Sequence, residues 1–180
     1  MSKIRIGIPL LVLFMAAGLA GQNLEAPNSL ALLSPAFNDG GTIPGVFTCS
    51  GKDISPALNW INIPAGTRSY ALTCVDPDAP SGRWVHWVVY GIEPIMTELP
   101  EAQPKQDRIA GGAVQGKTDF GTNAYGGPCP PPGKAHRYIF TLYALDSDPE
   151  LKPGLTLDEL QAVIRGHVLA EARLTGLFKR

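Results

Sequence analysis

The sequence predicts a mainly β domain of antiparallel strands with few helices, and three observations carry that expectation. Twenty Gly and seventeen Pro in 180 residues punctuate the chain too often for a helical bundle and mark long shaped loops. Four apolar or alternating runs have the length of strands. The loops between them lack helical periodicity, which suits antiparallel pairing rather than the crossovers a parallel sheet needs. The length favours one domain with a core of ordinary size.

The first twenty residues stand apart. Lys3 and Arg5 precede an apolar run from Ile6 to Ala20 that closes on the small residues Gly18-Leu19-Ala20, the pattern of a secretory signal peptide over residues 1–20. The run is short beside the roughly 20 residues that cross a bilayer, so a retained N-terminal membrane anchor is the alternative. No cysteine follows it, which tells against a lipoprotein. Removing this segment moves the formal charge from −1 to −3. The expected mature chain is exported, periplasmic or secreted, mildly acidic and without a membrane span. Such a chain lacks the basic surface that nucleic-acid binding requires.

Residues 21–33 read as an extended lead-in, with the domain over 34–180. Asn59–Ile63 is predicted as a strand ended by Pro64, and Tyr70–Val75 as a second. Val85–Ile92 is a third, almost continuously apolar, as expected of a strand covered on both faces. His136–Leu145 is a fourth, with Tyr138, Phe140, Leu142 and Ala144 on one face. Thr156-Leu157-Asp158-Glu159 has the form of a capping box. Leu160, Val163, Ile164 and Val168 follow at helical spacing, predicting a helix of about fifteen residues packed on the sheet. A shorter strand or turn is expected from Leu174 to Phe178, and His167 is expected on the helix surface or at an interface.

Cys49, Cys74 and Cys129 are an odd set, so an exported chain forms at most one internal disulfide. Cys74 lies inside an apolar strand, where a thiol behaves as a small buried hydrophobe. Cys49 and Cys129 sit in Gly- and Pro-rich loops and are the expected pair. Without a Cys-x-x-Cys, a cysteine metal site is not expected.

Two segments carry chemistry. Asp76-Pro77-Asp78-Ala79-Pro80-Ser81-Gly82-Arg83-Trp84-Val85-His86-Trp87 leaves one strand through two carboxylates and enters the next with a histidine between tryptophans. Ala124-Tyr125-Gly126-Gly127-Pro128-Cys129-Pro130-Pro131-Pro132-Gly133-Lys134-Ala135-His136-Arg137-Tyr138 is a stiff loop feeding a strand that opens on His-Arg-Tyr. Gly126 and Gly127 permit close backbone approach and offer N–H donors. His86 and His136, each at a strand entrance beside such a loop, would converge on one pocket.

Together these motifs make the sequence resemble the phosphatidylethanolamine-binding protein family. The closer likeness is to its bacterial Raf-kinase-inhibitor-like branch, which has the Gly-Gly-Pro-Cys-Pro-Pro form of the second motif. The resemblance runs from about Ser34 to Phe178. It implies an antiparallel β-sandwich with a few peripheral helices and a small anion pocket at one end. It also implies a cis Ala79–Pro80 bond. The ligand pocket carried over by the resemblance comprises Asp76, Asp78, Pro80, His86, His136 and Tyr138, lined by Trp84 and the Gly126-Gly127 backbone. The short link from Pro80 to Trp84, and Val85 where eukaryotic members often have a second histidine, tell against transferring kinase-regulating or flowering roles.

The chemistry of these residue types fits an anion. Imidazole nitrogens donate to phosphate oxygens, best when protonated. Asp76 would accept from the far nitrogen of a histidine and raise its pKa, while Asp78 would brace the loop. Tyr138 would donate its hydroxyl, and Trp84 would offer an apolar wall to the carbon part of a phospho-headgroup. The expected function is non-catalytic binding of a small phosphorylated or anionic ligand, such as a phospholipid headgroup, with no cofactor and no metal. A protease or kinase inhibitor acting through the pocket rim is the alternative. A metal-assisted hydrolase using the Asp/His set is less favoured, because no Gly-x-Ser-x-Gly or His-Glu-x-x-His is present.

Overall fold

A computed structural model describes residues 29–180. The segment expected to be a signal peptide (residues 1–20) and most of the lead-in lie outside the described residues. Among the described residues, no helix is long and apolar enough to cross a membrane.

The chain folds as two packed sheets. The smaller has the order β1 (Ala31–Leu33), β3 (Leu58–Ile61) and β6 (Glu98–Leu99). The larger runs β2 (Gly41–Thr42), β9 (Val168–Phe178), β8 (His136–Leu145), β4 (Ser69–Asp76), β5 (Trp84–Ile92) and β7 (Val114–Gln115). Pairing is antiparallel throughout except between β2 and β9, which are parallel over a two-residue contact. β1 begins ahead of Ser34, and Leu30 and Leu32 are buried in the core, so the ordered domain starts earlier than the lead-in over 21–33 allows.

Two cores follow from strand alternation. Between the sheets, Leu32, Leu58, Trp60 and Leu99 meet Tyr70, Leu72, Cys74, Trp87, Val89, Phe140 and Leu142. On the other face of the larger sheet, Ala71, Val85, Val88 and Tyr90 pack against Leu157, Leu160 and Ile164 of α1 (Leu157–Ile164). β5 therefore serves both cores with successive residues, which is why its sequence is almost unbroken in apolar character. Tyr138, Phe140, Leu142 and Ala144 are all fully buried, as the alternation in β8 predicts.

The capping box at Thr156 is present, with Glu159 N–H donating to Thr156 Oγ1 at 3.3 Å and Thr156 N–H to Glu159 Oε2 at 2.8 Å. The helix it starts is eight residues long rather than about fifteen. Gly166 turns the chain at φ +83°, and Val168 already pairs with Leu145 in β9. Val163 and Val168 are exposed, so helical spacing past Ile164 is coincidental. Hydrogen bonding along all of β8 makes the C-terminal strand eleven residues long. His167 sits in the turn between α1 and β9, with Nδ1 2.8 Å from Asp146 Oδ1.

Cys49 and Cys129 form the disulfide, with Cα atoms 5.4 Å apart, and Cys74 is free and buried. The bond ties the loop after β2 to the Gly/Pro loop before β8. No cis peptide bond occurs among the described residues, so Ala79–Pro80 is trans. The β4–β5 loop turns instead through Asp78 N–H on Asp76 Oδ1 and Gly82 N–H on Ala79 O, both 2.8 Å.

Candidate functional site

β4, β5 and β8 bring the chemistry-bearing side chains to one end of the sandwich. Asp76 closes β4 with the parity of Cys74, and His136 and Tyr138 open β8 with the parity of Phe140, so all three point along the inner face of the larger sheet. His86 reaches the same place by a different device. Cys74 pairs with Trp87 while Val75 pairs with Val85, so β5 carries one extra residue there, and that residue is His86. A bulge of this kind re-aims a side chain at a strand end.

These residues line a cavity of about 440 Å³ together with Pro80, Trp84, Phe120, Cys129, Pro130 and Pro131. His86 and His136 are only 3% and 8% exposed, and Asp76 3%. Nδ1 of His136 lies 2.8 Å from Asp76 Oδ2. Asp76 thus partners His136 and not His86, and its other oxygen accepts Asp78 N–H. His86 is clamped twice by Gly126: Nδ1 lies 2.6 Å from Gly126 O, and Gly126 N–H donates to His86 O at 3.0 Å. The ring meets Tyr138 and Phe120 edge to face, with centroids 5.0 and 5.3 Å apart. Trp84 packs on the other part of Phe120 at 5.6 Å.

Burial lowers the His86 pKa from its ordinary value, against the carbonyl of Gly126 and the charges of Asp76, Asp119 and Asp53, which raise it. The neighbouring aspartates do raise it, as expected, but burial outweighs them. The Tyr138 hydroxyl is buried and has no hydrogen-bond partner among the described residues. Burial first, and then the charge of Asp76, push its pKa upward, so it stays a phenol able to donate. Leaving such a donor unpaired costs about 1–3 kcal/mol.

Three of the sequence-predicted residues sit elsewhere. Asp78 faces away from the cavity and accepts from Arg137 at N–H (3.0 Å), Nε (2.9 Å) and Nη2 (2.7 Å). That ion pair lowers its pKa to about 2. Gly126 and Gly127 line a second cavity of about 510 Å³ on the far side of Phe120. Gly127 N–H is consumed by Asp53 Oδ1 at 2.6 Å, so neither glycine offers a free donor to the His/Asp cavity. Pro80, Trp84, Asp76, His86, His136 and Tyr138 do share one wall.

Sequence reasoning missed Phe120 and Asp53. Phe120 is a lone aromatic in the polar run Thr118-Asp119-Phe120-Gly121, and that isolation is the one signal it gives. Asp53 holds a left-handed backbone at φ +55° and bridges Gly127 N to Lys105 Nζ. Nothing in its local sequence announces that. No group of three or more metal-ligating side chains occurs among the described residues.

Fold and cavity define a β-sandwich protein with a ligand-sized cavity, mostly apolar with a few converging polar groups, at one end of its larger sheet. The family model for phosphatidylethanolamine-binding protein matches residues 33–179, and the chain belongs to that family. It is 50% identical to a UPF0098 protein of Methanothermobacter thermautotrophicus over 83% of this chain and 98% of that one. A UPF0098 protein of Aquifex aeolicus is 44% identical over 84% and 89% of the two chains. Among solved structures, the PEBP homologue CT736 of Chlamydia trachomatis superposes with a TM-score of 0.78 at 37% identity, covering 85% of this chain and 99% of that one. E. coli YbcL superposes with a TM-score of 0.77 at 31% identity, over 84% and 99%.

Proposed function

We propose that this chain is an exported binding protein that holds a small phosphorylated or otherwise anionic ligand, of the phospho-headgroup type, without catalysis. The observation that carries the reading is the buried Tyr138 hydroxyl, unpartnered among the described residues, in the same cavity as His136, whose Nδ1 is committed to Asp76. An oxyanion would accept from both, turning an unsatisfied donor into a charge-assisted bond. Trp84, Pro80 and Phe120 supply an apolar wall for a short carbon chain. The family name points to the same ligand chemistry. Binding without catalysis is supported by how the nucleophile candidates are spent. The Ser81 hydroxyl donates to Arg83 O, and among the described residues no serine, threonine or cysteine hydrogen-bonds to either cavity histidine. Export is supported by the disulfide and the leader-like residues 1–20.

Action on a protein target through the rim would call for an apolar collar. Of the large exposed hydrophobics among the described residues, Phe120 alone lines the cavity, which favours the small-ligand reading. The test is an NMR titration of the protein with phosphoethanolamine at mildly acid pH. Shifts concentrated at Asp76, His86, His136 and Tyr138, and unchanged by a chelator, are expected. Shifts elsewhere, or none, would refute the reading.

A further inference from the structure

The Cys49–Cys129 bond lies at the surface and not in a core. Both half-cystines are exposed, whereas the third cysteine, Cys74, is fully buried. The bond also stands where two cavities meet. Cys49 and Cys129 line the cavity of about 510 Å³, and Cys129 lines the His/Asp cavity as well. A thiol arriving from solvent can therefore reach the sulfurs without the domain opening.

The two sulfurs are not equivalent. Arg180 Nη1 lies 3.7 Å from Cys129 Sγ. The main-chain oxygen of Arg180 accepts from Gly133 N–H at 3.4 Å, which keeps the residue beside the Gly/Pro loop. Lys105, the cation lining the larger cavity, is instead committed to Asp53 Oδ2 at 2.6 Å. A guanidinium beside a sulfur favours its thiolate. Cys129 is therefore the better leaving group, and Cys49 is the sulfur open to attack.

The bond is not alone in holding its two loops together. Cys49 N–H donates to Pro128 O at 3.1 Å, Gly127 N–H to Asp53 Oδ1 at 2.6 Å, and the Tyr125 hydroxyl to Phe47 O at 2.9 Å. These three contacts survive cleavage. They would leave two thiols facing each other with Cα atoms 5.4 Å apart, a spacing at which a disulfide re-forms. Exposed disulfides are the labile ones, whereas buried structural ones resist reduction.

We propose that Cys49–Cys129 is a site of reversible thiol–disulfide exchange with an external dithiol. A thiolate of the dithiol attacks Cys49 Sγ, the S–S bond breaks, and its electron pair leaves on Cys129 as a thiolate facing Arg180. The second thiol of the dithiol, after giving up its proton, displaces Cys49 from the mixed disulfide. The dithiol departs as a disulfide, and Cys49 and Cys129 take up its two electrons and two protons. Because Cys129 walls both cavities, the exchange couples the thiol balance of the compartment to that shared wall. The inference does not depend on what either cavity binds.

Buried Cys74 serves as an internal reporter of unfolding in the test. Native protein treated with dithiothreitol and then with a maleimide should be labelled at Cys49 and Cys129 while Cys74 stays unlabelled. Treated with 2-mercaptoethanol and quenched in acid, it should carry the mixed disulfide on Cys49, read by peptide mass spectrometry. Arg180 is exposed, so its replacement leaves the fold intact. Arg180→Gln should slow reduction about threefold or more, as the Cys129 leaving group loses its cation, and Arg180→Lys should restore most of the rate. A bond that persists in native protein, or opens only in step with labelling of Cys74, would overturn the exchange site. A mixed disulfide on Cys129, or an unchanged rate in Arg180→Gln, would overturn the assigned direction of attack.

Discussion

Nδ1 of His136 stands 2.8 Å from Oδ2 of Asp76, with the two side chains 10% and 4% exposed. A carboxylate this dry needs a partner at each oxygen, and Asp76 spends one oxygen on His136 and the other on the Asp78 N–H that starts the β4–β5 loop. One residue thereby sets both the orientation of a cavity histidine and the path of the loop that walls the cavity.

Replacing Asp76 separates those duties. Asp76→Ala strands the Asp78 N–H and leaves the buried His136 ring without its partner, a loss of about 3–5 kcal/mol. Asp76→Asn can still accept the Asp78 N–H and should cost distinctly less stability, yet weaken anion binding, since a neutral amide cannot form an ion pair with His136. Urea unfolding and ligand titration check the two effects; equal destabilisation by both variants would contradict the shared role.

Acid should expose the Asp78–Arg137 pair. The Asp78 carboxyl is held at about 2 by Arg137, below the value of about 3.9 in an unfolded chain. A depressed carboxyl stabilises the fold above its unfolded value, and that contribution disappears as pH falls from about 4 toward 2. Asp78→Asn should therefore flatten the acid limb of the stability–pH curve in that window and leave cavity binding intact. An unaltered acid limb would argue that the pair is fully screened by solvent.

The Cys49–Cys129 bond closes a separation of 80 residues and fixes the loop that contributes Cys129, Pro130 and Pro131 to the cavity. A Cys49→Ser, Cys129→Ser variant should lose about 2–5 kcal/mol. A thiol reagent under denaturing, non-reducing conditions should label Cys74 alone, and native protein should resist labelling, because burial raises the Cys74 pKa well above its usual value. Labelling at Cys49 or Cys129 would refute the bond in solution.

The two loop glycines should respond differently to a methyl group. A Cβ at Gly127 would collide with the backbone oxygen of Phe47 and the backbone of Thr48, which cannot swing aside, and would press on Asp53 Oδ1. At Gly126 it would meet the ring of Phe120, which is 43% exposed and free to turn outward. Gly127→Ala should cost about 1–3 kcal/mol of stability. Gly126→Ala should cost less stability but disturb binding through the Phe120–His86 contact. Thermal melts paired with titrations check this, and the reverse ranking would contradict it.

Much of this architecture was legible in the residues. Alternation placed Tyr138 and Phe140 in the core, the unbroken apolar run marked β5 as covered on both faces, and loop context paired Cys49 with Cys129. The failures have physical causes. Val163 and Val168 matched helical spacing, but pairing with β8 claimed the segment past Gly166 for a strand. The strands β1, β2, β6 and β7 are two or three residues long and exist through their partners rather than through local propensity. Within the site, the resemblance placed Asp78, Gly126 and Gly127 at the ligand pocket. The fold instead turns Asp78 out to Arg137 and uses the glycine backbone to hold His86. That His86 is the extra residue of a bulge is a property of register, which a single strand does not reveal.

Sulfate calorimetry against pH tests the central claim most directly, because the charge of sulfate stays fixed across the histidine range. If protonated histidine and Tyr138 hold the anion, sulfate affinity should rise at least about tenfold from about pH 8.5 to 5.5, the range across which a histidine ordinarily gains charge. His136→Ala should abolish that rise, and a chelator should change nothing. Sulfate affinity equal at the two pH values, or binding lost on chelation, would contradict a histidine anion pocket.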